Sequence, residues 1–322
     1  MSTTADATRQ GGPVDTSAAP AIVVDGLVKR YGDIRAVDGL SFTVAPAEVF
    51  ALLGPNGAGK TTTVETLEGY RKPDSGSVRV LGLDPIRQGH AMKQQTGLML
   101  QQSSIYDKIR VREALAMFAS YYAEPRSPDS LLDLVGLESQ ARAYFGNLSG
   151  GQKQRLSLAL ALVGNPRLVF LDEPTASMDP QARIQTWELI RGLQRDGVTV
   201  LMTTHYMEEA QRLADRVAIV DHGRLVALGR PSELIGSSEN QVVTFSAALG
   251  LDLTDLETGP PGVTVREERP GSYVITSPDA LATSAQLQAW RTRTGTEVSD
   301  FRVATATLED VFLELTGSEV RD

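Results

Sequence analysis

Cysteine is absent from this sequence, and histidine is scarce. The 322 residues include no cysteine and three histidines, His90, His205 and His222. Without cysteine there is neither a disulfide framework nor a thiolate metal site, and three scattered histidines do not favour a histidine-based metal cluster. We expect His90 and His222 to be surface residues.

Basic residues are outnumbered by acidic ones. The chain has 31 Lys and Arg residues against 40 Asp and Glu residues, a formal net charge of -9. Binding to nucleic acid needs a basic face that neutralises phosphates, so we expect no nucleic-acid partner, although a local basic patch is left open.

Long apolar runs are missing too. No run approaches the roughly 18 residues that span a bilayer, and the N-terminus has no charged segment followed by an apolar one. These absences predict a cytosolic chain and leave docking on a membrane protein open.

The length fits one large domain and one small domain. Residues 1–20 lack periodicity and are rich in Thr, Ala, Gly and Pro, so we expect a disordered leader there. The large domain is predicted over residues 21–236 and an accessory domain over residues 237–322.

A glycine-rich loop follows an apolar strand and precedes a helix. The run Val49–Leu53 is typical of a buried parallel strand, and the residues after it match G-x-x-x-x-G-K-[ST] at every fixed position. Glycines let backbone N–H groups wrap a polyphosphate at a helix N-terminus, where the helix dipole adds positive charge. The pattern predicts a site for a nucleotide polyphosphate and Mg²⁺, with Lys60 on the β- and γ-phosphates and the Thr61 hydroxyl on the metal. The predicted loop residues are Gly54, Pro55, Asn56, Gly57, Ala58, Gly59, Lys60, Thr61 and Thr62.

Asp172 and Glu173 follow the apolar run Leu168–Leu171. Ligands of open α/β sheets collect at the carboxyl ends of the strands. We expect Asp172 to hold Mg²⁺ through a water, and Glu173 to act as the general base that polarises an attacking water. His205 follows another apolar strand, residues 198–203, and can reach the γ-phosphate from there, although a lone histidine is more often a surface residue.

The small residues Ser149–Gly151 precede an apolar helix expected over residues 156–163. A helix N-terminus with small residues predicts a second phosphate site. A helical insert separates this segment from the glycine loop, so one chain would have difficulty in folding both onto one nucleotide. A second copy of the chain could supply the missing half.

Two other candidates are weak on their own. Tyr31 could stack on a nucleotide base, but taken alone it is more often an aromatic packed at a strand end. Gln101, which ends an apolar strand, could ligate Mg²⁺ through its carbonyl or orient a water, whereas an isolated glutamine is more often a surface amide.

Taken together, these segments resemble the ATP-binding subunits of ABC transporters. The glycine loop, Leu148–Gln152 (LSGGQ), Leu168–Pro174 (LVFLDEP), the loop at residues 177–179 and His205 occur in the order of that family. The resemblance covers about residues 21–236. It implies an α/β fold: a P-loop NTPase ABC nucleotide-binding domain with a mixed sheet core, an antiparallel β edge and a helical insert at about 103–158. The strand and helix pattern of the residues after it predicts a small α+β domain. The resemblance implies as well that the nucleotide is ATP.

The resemblance also implies a role for each matching residue. Tyr31 would stack on adenine, Gln101 would sense Mg²⁺ and touch a membrane partner, and Glu173 would be the base beside the switch residue His205. The catalytic set is Glu173, His205, Lys60 and Gln101; the metal ligands are Thr61, Gln101 and Asp172; and the nucleotide contacts outside the glycine loop are Tyr31, Ser149, Gly150, Gly151, Gln152 and Asp179. Ser149 and Gly151 would cap the γ-phosphate of the nucleotide held by the other protomer.

Three positions depart from the family pattern. Ala47 stands where many relatives have glycine, Met178 where leucine is common, and Leu100 where many have proline. None of these removes a catalytic group, so we expect competent ATP hydrolysis.

The segment at residues 307–317 resembles the end of the daunorubicin-type drug-resistance exporter ATPases. The resemblance implies an ATP-hydrolysing homodimer that powers a separate membrane permease from the cytoplasmic face of the membrane, exporting drugs or other hydrophobic molecules. An alternative is a soluble ABC ATPase that acts on ribosomes or DNA, but one P-loop, no heptad run and an acidic balance disfavour it.

The C-terminal segment shows strand and helix patterns without a glycine-rich or metal signature. We expect strands at residues 241–246, 272–276 and 301–304 and a helix at residues 280–294. An apolar stripe on a last helix has i, i+3, i+4, i+7 spacing and comprises Leu308, Val311, Phe312 and Leu315. Packing on the body of the protein is the expected role of this stripe, and a contact with a second copy or a membrane partner is the alternative.

Overall fold

The computed structural model describes residues 19–100, 105–176, 178–237, 241–257, 263–305 and 307–316. Nearly all of the predicted leader therefore lies outside the described residues, as do Gln101 and Ser177. The chain forms two compact units. The first holds the described residues up to His205 together with Val220–Leu225, and the second holds Tyr206–Ile219 and the described residues from Val226 onward. The domain boundary expected near residue 236 stays a prediction.

The first unit contains parallel and antiparallel strands. Its elements are β1 (Ile22–Tyr31), β2 (Ile34–Val44), β3 (Val49–Leu53), α1 (Lys60–Leu67), β4 (Ser75–Val80), α2 (Gly89–Lys93), β5 (Thr96–Met99), α3 (Val111–Ala119), α4 (Pro128–Leu134), α5 (Gly150–Leu162), β6 (Leu168–Asp172), α6 (Pro180–Arg195) and β7 (Thr199–Thr204). Strands β5, β6, β7 and β3 lie side by side in that order and pair in parallel. The carboxyl ends of β3, β6 and β7 consequently meet at one edge, which is where the predicted site residues lie.

Strands β3 and β7 are buried on both faces, as is typical of parallel strands. Every residue of β3 and β7 is buried, so both faces of these strands are covered, as parallel sheets require. The antiparallel edge predicted before the glycine loop is confirmed. It is a three-stranded sheet with the order β2-β1-β4, and Ile22 of β1 lies opposite Val44 of β2 and Val80 of β4.

One predicted boundary was wrong. Helix α5 begins at Gly150 rather than at residue 156, because Ser149 caps it. Helix α3 ends at Ala119. Strand β4 ends at Val80 because Leu81 adopts a left-handed conformation, with φ 51°, where the chain turns.

The second unit combines short helices with one antiparallel sheet. Its elements, of which β8 and β9 are divided between the units, are α7 (Met207–Leu213), β8 (Arg216–Asp221), β9 (Arg224–Gly229), α8 (Pro231–Ser237), β10 (Gln241–Ser246), α9 (Thr254–Glu257), β11 (Thr264–Arg269), β12 (Ser272–Ser277), α10 (Ala280–Thr294), β13 (Ser299–Thr305) and α11 (Leu308–Thr316). The sheet order is β11-β12-β10-β13.

One face of this sheet packs against α10. Phe245 stacks on Tyr273 with ring centroids 5.1 Å apart, and Leu287 and Trp290 of α10 pack in the same cluster. The α+β character expected for this segment is thus confirmed. Strand β11 was missed because its sequence, TVREER, has no apolar alternation and its pairing with β12 creates the strand.

Helix α11 uses its apolar stripe inside the second unit. Leu308, Val311 and Phe312 are buried, α11 packs on α7 and α8, and the Leu308 N–H donates to Gln211 Oε1 at 3.3 Å. Packing on the body of the protein is confirmed for these residues, whereas Leu315 is 43% exposed. Over the described part of the chain, no helix combines the length and apolarity needed to cross a membrane.

Candidate nucleotide site

The glycine loop connects the buried strand β3 to helix α1. Gly59 is the N-cap of α1 and has φ 97°, a conformation that favours glycine. A Cβ at Gly59 would overlap the carbonyl oxygen of Ala36, and a Cβ at Gly54 would overlap that of Val220. Glycine is required at both positions because another stretch of backbone lies directly against the loop.

Lys60 lies inside the loop. Its Nζ donates to the carbonyl oxygens of Gly54 at 2.6 Å and Pro55 at 3.0 Å, so the ammonium group is held at the centre of the loop curve. Burial lowers the pKa of Lys60, while the nearby charges of Glu173 and Asp172 oppose that shift. A poorly solvated ammonium at the N-terminus of a helix favours an anionic ligand such as a phosphate.

Asp172 ends strand β6, and its carboxylate accepts a hydrogen bond from the Thr203 hydroxyl of the neighbouring strand β7. Burial is the main cause that raises the pKa of Asp172, and the Glu173 charge adds to it; the Thr203 hydrogen bond and Lys60 act in the opposite direction. A partly buried carboxylate of this kind gains from a nearby cation. Its oxygen and the Thr61 hydroxyl are hard donors that fit Mg²⁺, and Gln101, the third predicted ligand, lies outside the described residues.

Glu173 has a strained backbone that is held on both sides. Its φ of 48° lies in the left-handed region, which costs a non-glycine residue about 1–3 kcal/mol. The Glu173 N–H donates to the Thr203 carbonyl at 3.1 Å and to the Thr203 hydroxyl at 3.2 Å. The Glu173 carbonyl accepts from Gln154 Nε2 at 3.2 Å and from the Ala176 N–H at 3.1 Å. These bonds fix the direction of the carboxylate.

His205 pairs with that carboxylate. Its Nδ1 lies 3.0 Å from Glu173 Oε1, and both side chains are largely buried. An ionised carboxylate can only accept hydrogen bonds, so beside ionised Glu173 the proton is on Nδ1. The other ring nitrogen, Nε2, is then an acceptor unless the ring gains a second proton.

The second predicted phosphate segment forms the N-terminus of α5. Ser149 Oγ accepts from the Gln152 N–H at 3.3 Å, and Gln152 Oε1 accepts from the Ser149 N–H at 2.9 Å, which is a capping box. The bond from Gln152 uses an acceptor lone pair of the serine and leaves its hydroxyl proton available. A Cβ placed on Gly150 or Gly151 would meet nothing within 4 Å, so the first turn of the helix is open to a ligand.

Tyr31 lies at the end of β1 with its ring 42% exposed. Lys29 Nζ is 5.7 Å and Arg71 Cζ is 5.9 Å from the ring centroid. Each cation is paired with its own carboxylate, Lys29 with Asp74 at 3.2 Å and Arg71 with Glu65 at 3.0 Å. The ring is thus framed by cation–π contacts and keeps exposed surface on which a base can stack.

The structure brings together the predicted residues Lys60, Asp172, Glu173 and His205. Asp179 has a capping role, because its side chain accepts from the Ala182 N–H at 2.9 Å at the start of α6. Sequence reasoning missed Thr203 and Gln154. A hydroxyl in the fully buried strand β7 was the available signal for Thr203; Gln154 gave none, since only the fold places α5 beside Glu173.

Comparison with known proteins agrees with this geometry. The profile of the ABC transporter family matches residues 37–176. The chain is 40% identical to the Nod factor export ATP-binding protein I of Paraburkholderia xenovorans (strain LB400), covering 94% of this chain and 99% of that protein. It is 38% identical to the daunorubicin resistance ATP-binding protein DrrA3 of Streptomyces coeruleorubidus, covering 94% and 98%.

Solved structures share the fold of the first part of the chain. An ATP-binding subunit of an ABC transporter, 25% identical, superposes with a TM-score of 0.62 over 67% of this chain and 92% of its own. A dimeric ATP-binding cassette in a post-hydrolysis state, bound to ADP and Pi, superposes with a TM-score of 0.58 at 23% identity over 65% of this chain and 98% of its own. The extent and identity of these matches, together with the glycine loop and the acidic strand end, establish that this chain belongs to the ATP-binding, ATP-hydrolysing subunits of the ABC transporter family.

Proposed function

We propose that this chain is the ATPase of a bacterial exporter for drugs or other hydrophobic molecules, working as a homodimer beneath a separate membrane permease. The observation that carries the catalytic part is the contact between Glu173 and His205 at the carboxyl edge of the parallel sheet, beside Lys60. The export direction and the class of cargo rest on the two curated relatives, whose names concern Nod factor export and daunorubicin resistance.

In this proposal each part of the nucleotide is bound by its own group of residues. Adenine stacks on Tyr31, the phosphates lie in the glycine loop against Lys60, and Thr61 and Asp172 hold Mg²⁺, with Gln101 as the third expected ligand. When bound, the magnesium ion neutralises charge on the β- and γ-phosphate oxygens. The loop backbone and Lys60 carry out the remaining binding in this proposal.

Hydrolysis follows from the position of Glu173. Its carboxylate accepts a proton from a water that attacks the γ-phosphorus, the bond from the γ-phosphorus to the β,γ-bridging oxygen breaks, and ADP and phosphate are the products. The strained backbone of Glu173 and the contact with His205 Nδ1 orient the carboxylate that accepts this proton. In this proposal His205 contacts the γ-phosphate through Nε2.

The dimer completes the site. The open first turn of α5 offers the Ser149 hydroxyl proton and the N–H groups of Gly150 and Gly151 to the γ-phosphate of a nucleotide held by a second copy. Gln152 closes the capping box of this turn and is also an expected nucleotide contact. Because the γ-phosphate bridges two chains, ATP favours the closed dimer and hydrolysis releases it.

The permease converts closure of this dimer into a change of access for the cargo. The chain would then lie peripherally on the cytoplasmic face of the membrane, since docking on the permease is its link to the bilayer. Co-purification with a polytopic membrane protein supports this part, and co-sedimentation with ribosomes instead would overturn it.

The catalytic part is tested with Glu173→Gln. The variant should bind ATP and form a stable dimer with ATP and Mg²⁺, while its turnover falls about 10²- to 10⁴-fold, the usual contribution of a general base. Size-exclusion chromatography with light scattering and a phosphate-release assay measure the two effects.

A matched control is Glu188→Gln, which removes the same charge from an exposed position on α6. This variant should keep wild-type turnover and should not accumulate as a dimer. Unchanged hydrolysis in Glu173→Gln would refute the assignment of Glu173 as the base. A wild-type chain that stays monomeric and inactive beside its permease would refute the proposed dimer in which ATP bridges two chains.

A further inference from the structure

Gln154 joins the helix that carries LSGGQ to the backbone of Glu173. It lies on α5, and its Nε2 donates to the Glu173 carbonyl oxygen at 3.2 Å. Gln154 is partly exposed, whereas the carbonyl it contacts belongs to the strained residue at the end of the buried strand β6.

The strain at Glu173 makes this contact consequential. A residue with φ 48° keeps its conformation only while its neighbours hold it. The Glu173 N–H is fixed by Thr203, and the Glu173 carbonyl is shared between the Ala176 N–H, which belongs to the same loop, and Gln154, which belongs to a different element. A displacement of α5 therefore reaches the peptide of Glu173 through Gln154.

Helix α5 can transmit such a displacement. It is a 13-residue helix with a complete capping box at its N-terminus, so Ser149 and Gln154 lie on one rigid rod, about 7.5 Å apart along its axis. The residue before Gln154, Lys153, does not share this contact: its Nζ lies 5.1 Å from the centroid of the Phe145 ring.

We propose that Gln154 is a positioning residue that couples the two ATP sites of the dimer. This inference rests on the proposed function, in which each ATP is held between two chains. In one protomer, Ser149 engages the nucleotide held by the partner, while Glu173 acts on the nucleotide held in that protomer's own glycine loop. The link from α5 to Glu173 thus makes each base respond to occupancy of the other site, which appears as cooperative hydrolysis.

The test compares Gln154→Ala and Gln154→Glu with wild type. Glutamate keeps the shape of the side chain and lacks the N–H donor, so both variants lose the hydrogen bond. Turnover should fall about 3- to 10-fold, the range for one lost hydrogen bond, the Hill coefficient for ATP should drop to about 1, and KM should change little. Lys153→Ala is the control on the neighbouring residue and should retain the wild-type Hill coefficient.

A double-mutant cycle separates coupling from a local effect on Glu173. If Gln154 transmits the engagement of Ser149, the variant Ser149→Ala/Gln154→Ala should turn over no more slowly than Ser149→Ala alone. Losses that multiply would overturn the proposal, as would wild-type turnover and cooperativity in both Gln154 variants.

Folding does not obscure the result, because the Glu173 carbonyl keeps the Ala176 N–H as a donor when Gln154 is changed. Thermal unfolding of each variant checks this directly. Wild-type protein measured in the same experiment distinguishes the two proposals. Absence of ATP-dependent dimers and phosphate release in wild type contradicts the proposed function, whereas an active, cooperative wild type with unaffected Gln154 variants contradicts only the coupling.

Discussion

Glu68 gives the protein a stability that should depend on pH in an unusual direction. The side chain follows α1 and is 5% exposed. Burial, with the charges of Asp172 and Glu65, raises its pKa from 4.5 to about 8, and Lys93 opposes the shift. Between these values the folded protein keeps a proton on Glu68 that the unfolded chain has released.

The sign of the effect follows from that difference in protonation. Stability falls with pH wherever the folded state binds more protons than the unfolded state. The contribution of protonated Glu68 to the free energy of unfolding is therefore fully present below about pH 4.5 and is lost as the pH rises through about 8. The gap of about 3.5 units, at about 1.4 kcal/mol for each unit, sets an upper limit of about 5 kcal/mol.

The perturbation is Glu68→Gln, because glutamine imitates the protonated carboxyl and does not titrate. The difference in unfolding free energy between the variant and wild type should be below about 1 kcal/mol at pH 5 and should reach several kcal/mol in favour of the variant at pH 9. Taking this difference at each pH removes the contributions of all groups common to both proteins.

Urea unfolding followed by tryptophan fluorescence measures the difference. The chain has two tryptophans, Trp187 in the first unit and Trp290 in the second. A Trp290→Phe background reports on the first unit alone. Glu124→Gln, at an exposed position, is the control and should show no growing advantage. Parallel curves for Glu68→Gln and wild type from pH 5 to pH 9 would refute the reasoning.

Three further predictions concern other parts of the fold. Tyr31→Ala should raise the Kd for ATP about 5- to 150-fold, equivalent to a stacking loss of about 1–3 kcal/mol. Tyr31→Trp should retain the affinity of wild type in the same equilibrium binding assay. Wild-type affinity in the alanine variant would show that Tyr31 does not contact the base. Gly97→Ala should lower the Tm sharply because its Cβ would overlap the carbonyl oxygen of Ala161, whereas Gly89→Ala has open space and should not; similar Tm values for both would contradict the close approach. Trp290→Ala should destabilise the second unit by about 3–5 kcal/mol, measured by circular dichroism, and a loss no larger than that of the same change at the 84% exposed Leu281 would show that Trp290 is not a core residue.

The sequence by itself determined the nucleotide-binding core. The glycine loop, the LSGGQ segment and the acidic strand end are contiguous stretches whose meaning depends on a strand before them or a helix after them. Both kinds of context can be read from neighbouring residues. For the same reason the buried strands β3, β6 and β7 were located correctly, since each contains a run of at least three consecutive apolar residues.

Only the tertiary structure decided which side chains support those motifs. Thr203 meets Asp172, and Gln154 meets Glu173, because separate elements lie side by side. The burial of Glu68 likewise depends on what packs over the end of α1, and strand β11 exists because β12 supplies its hydrogen bonds. These features depend on contacts between residues that are distant in the sequence. Such contacts produce no periodic pattern in the local sequence around either residue, so they cannot be predicted from it.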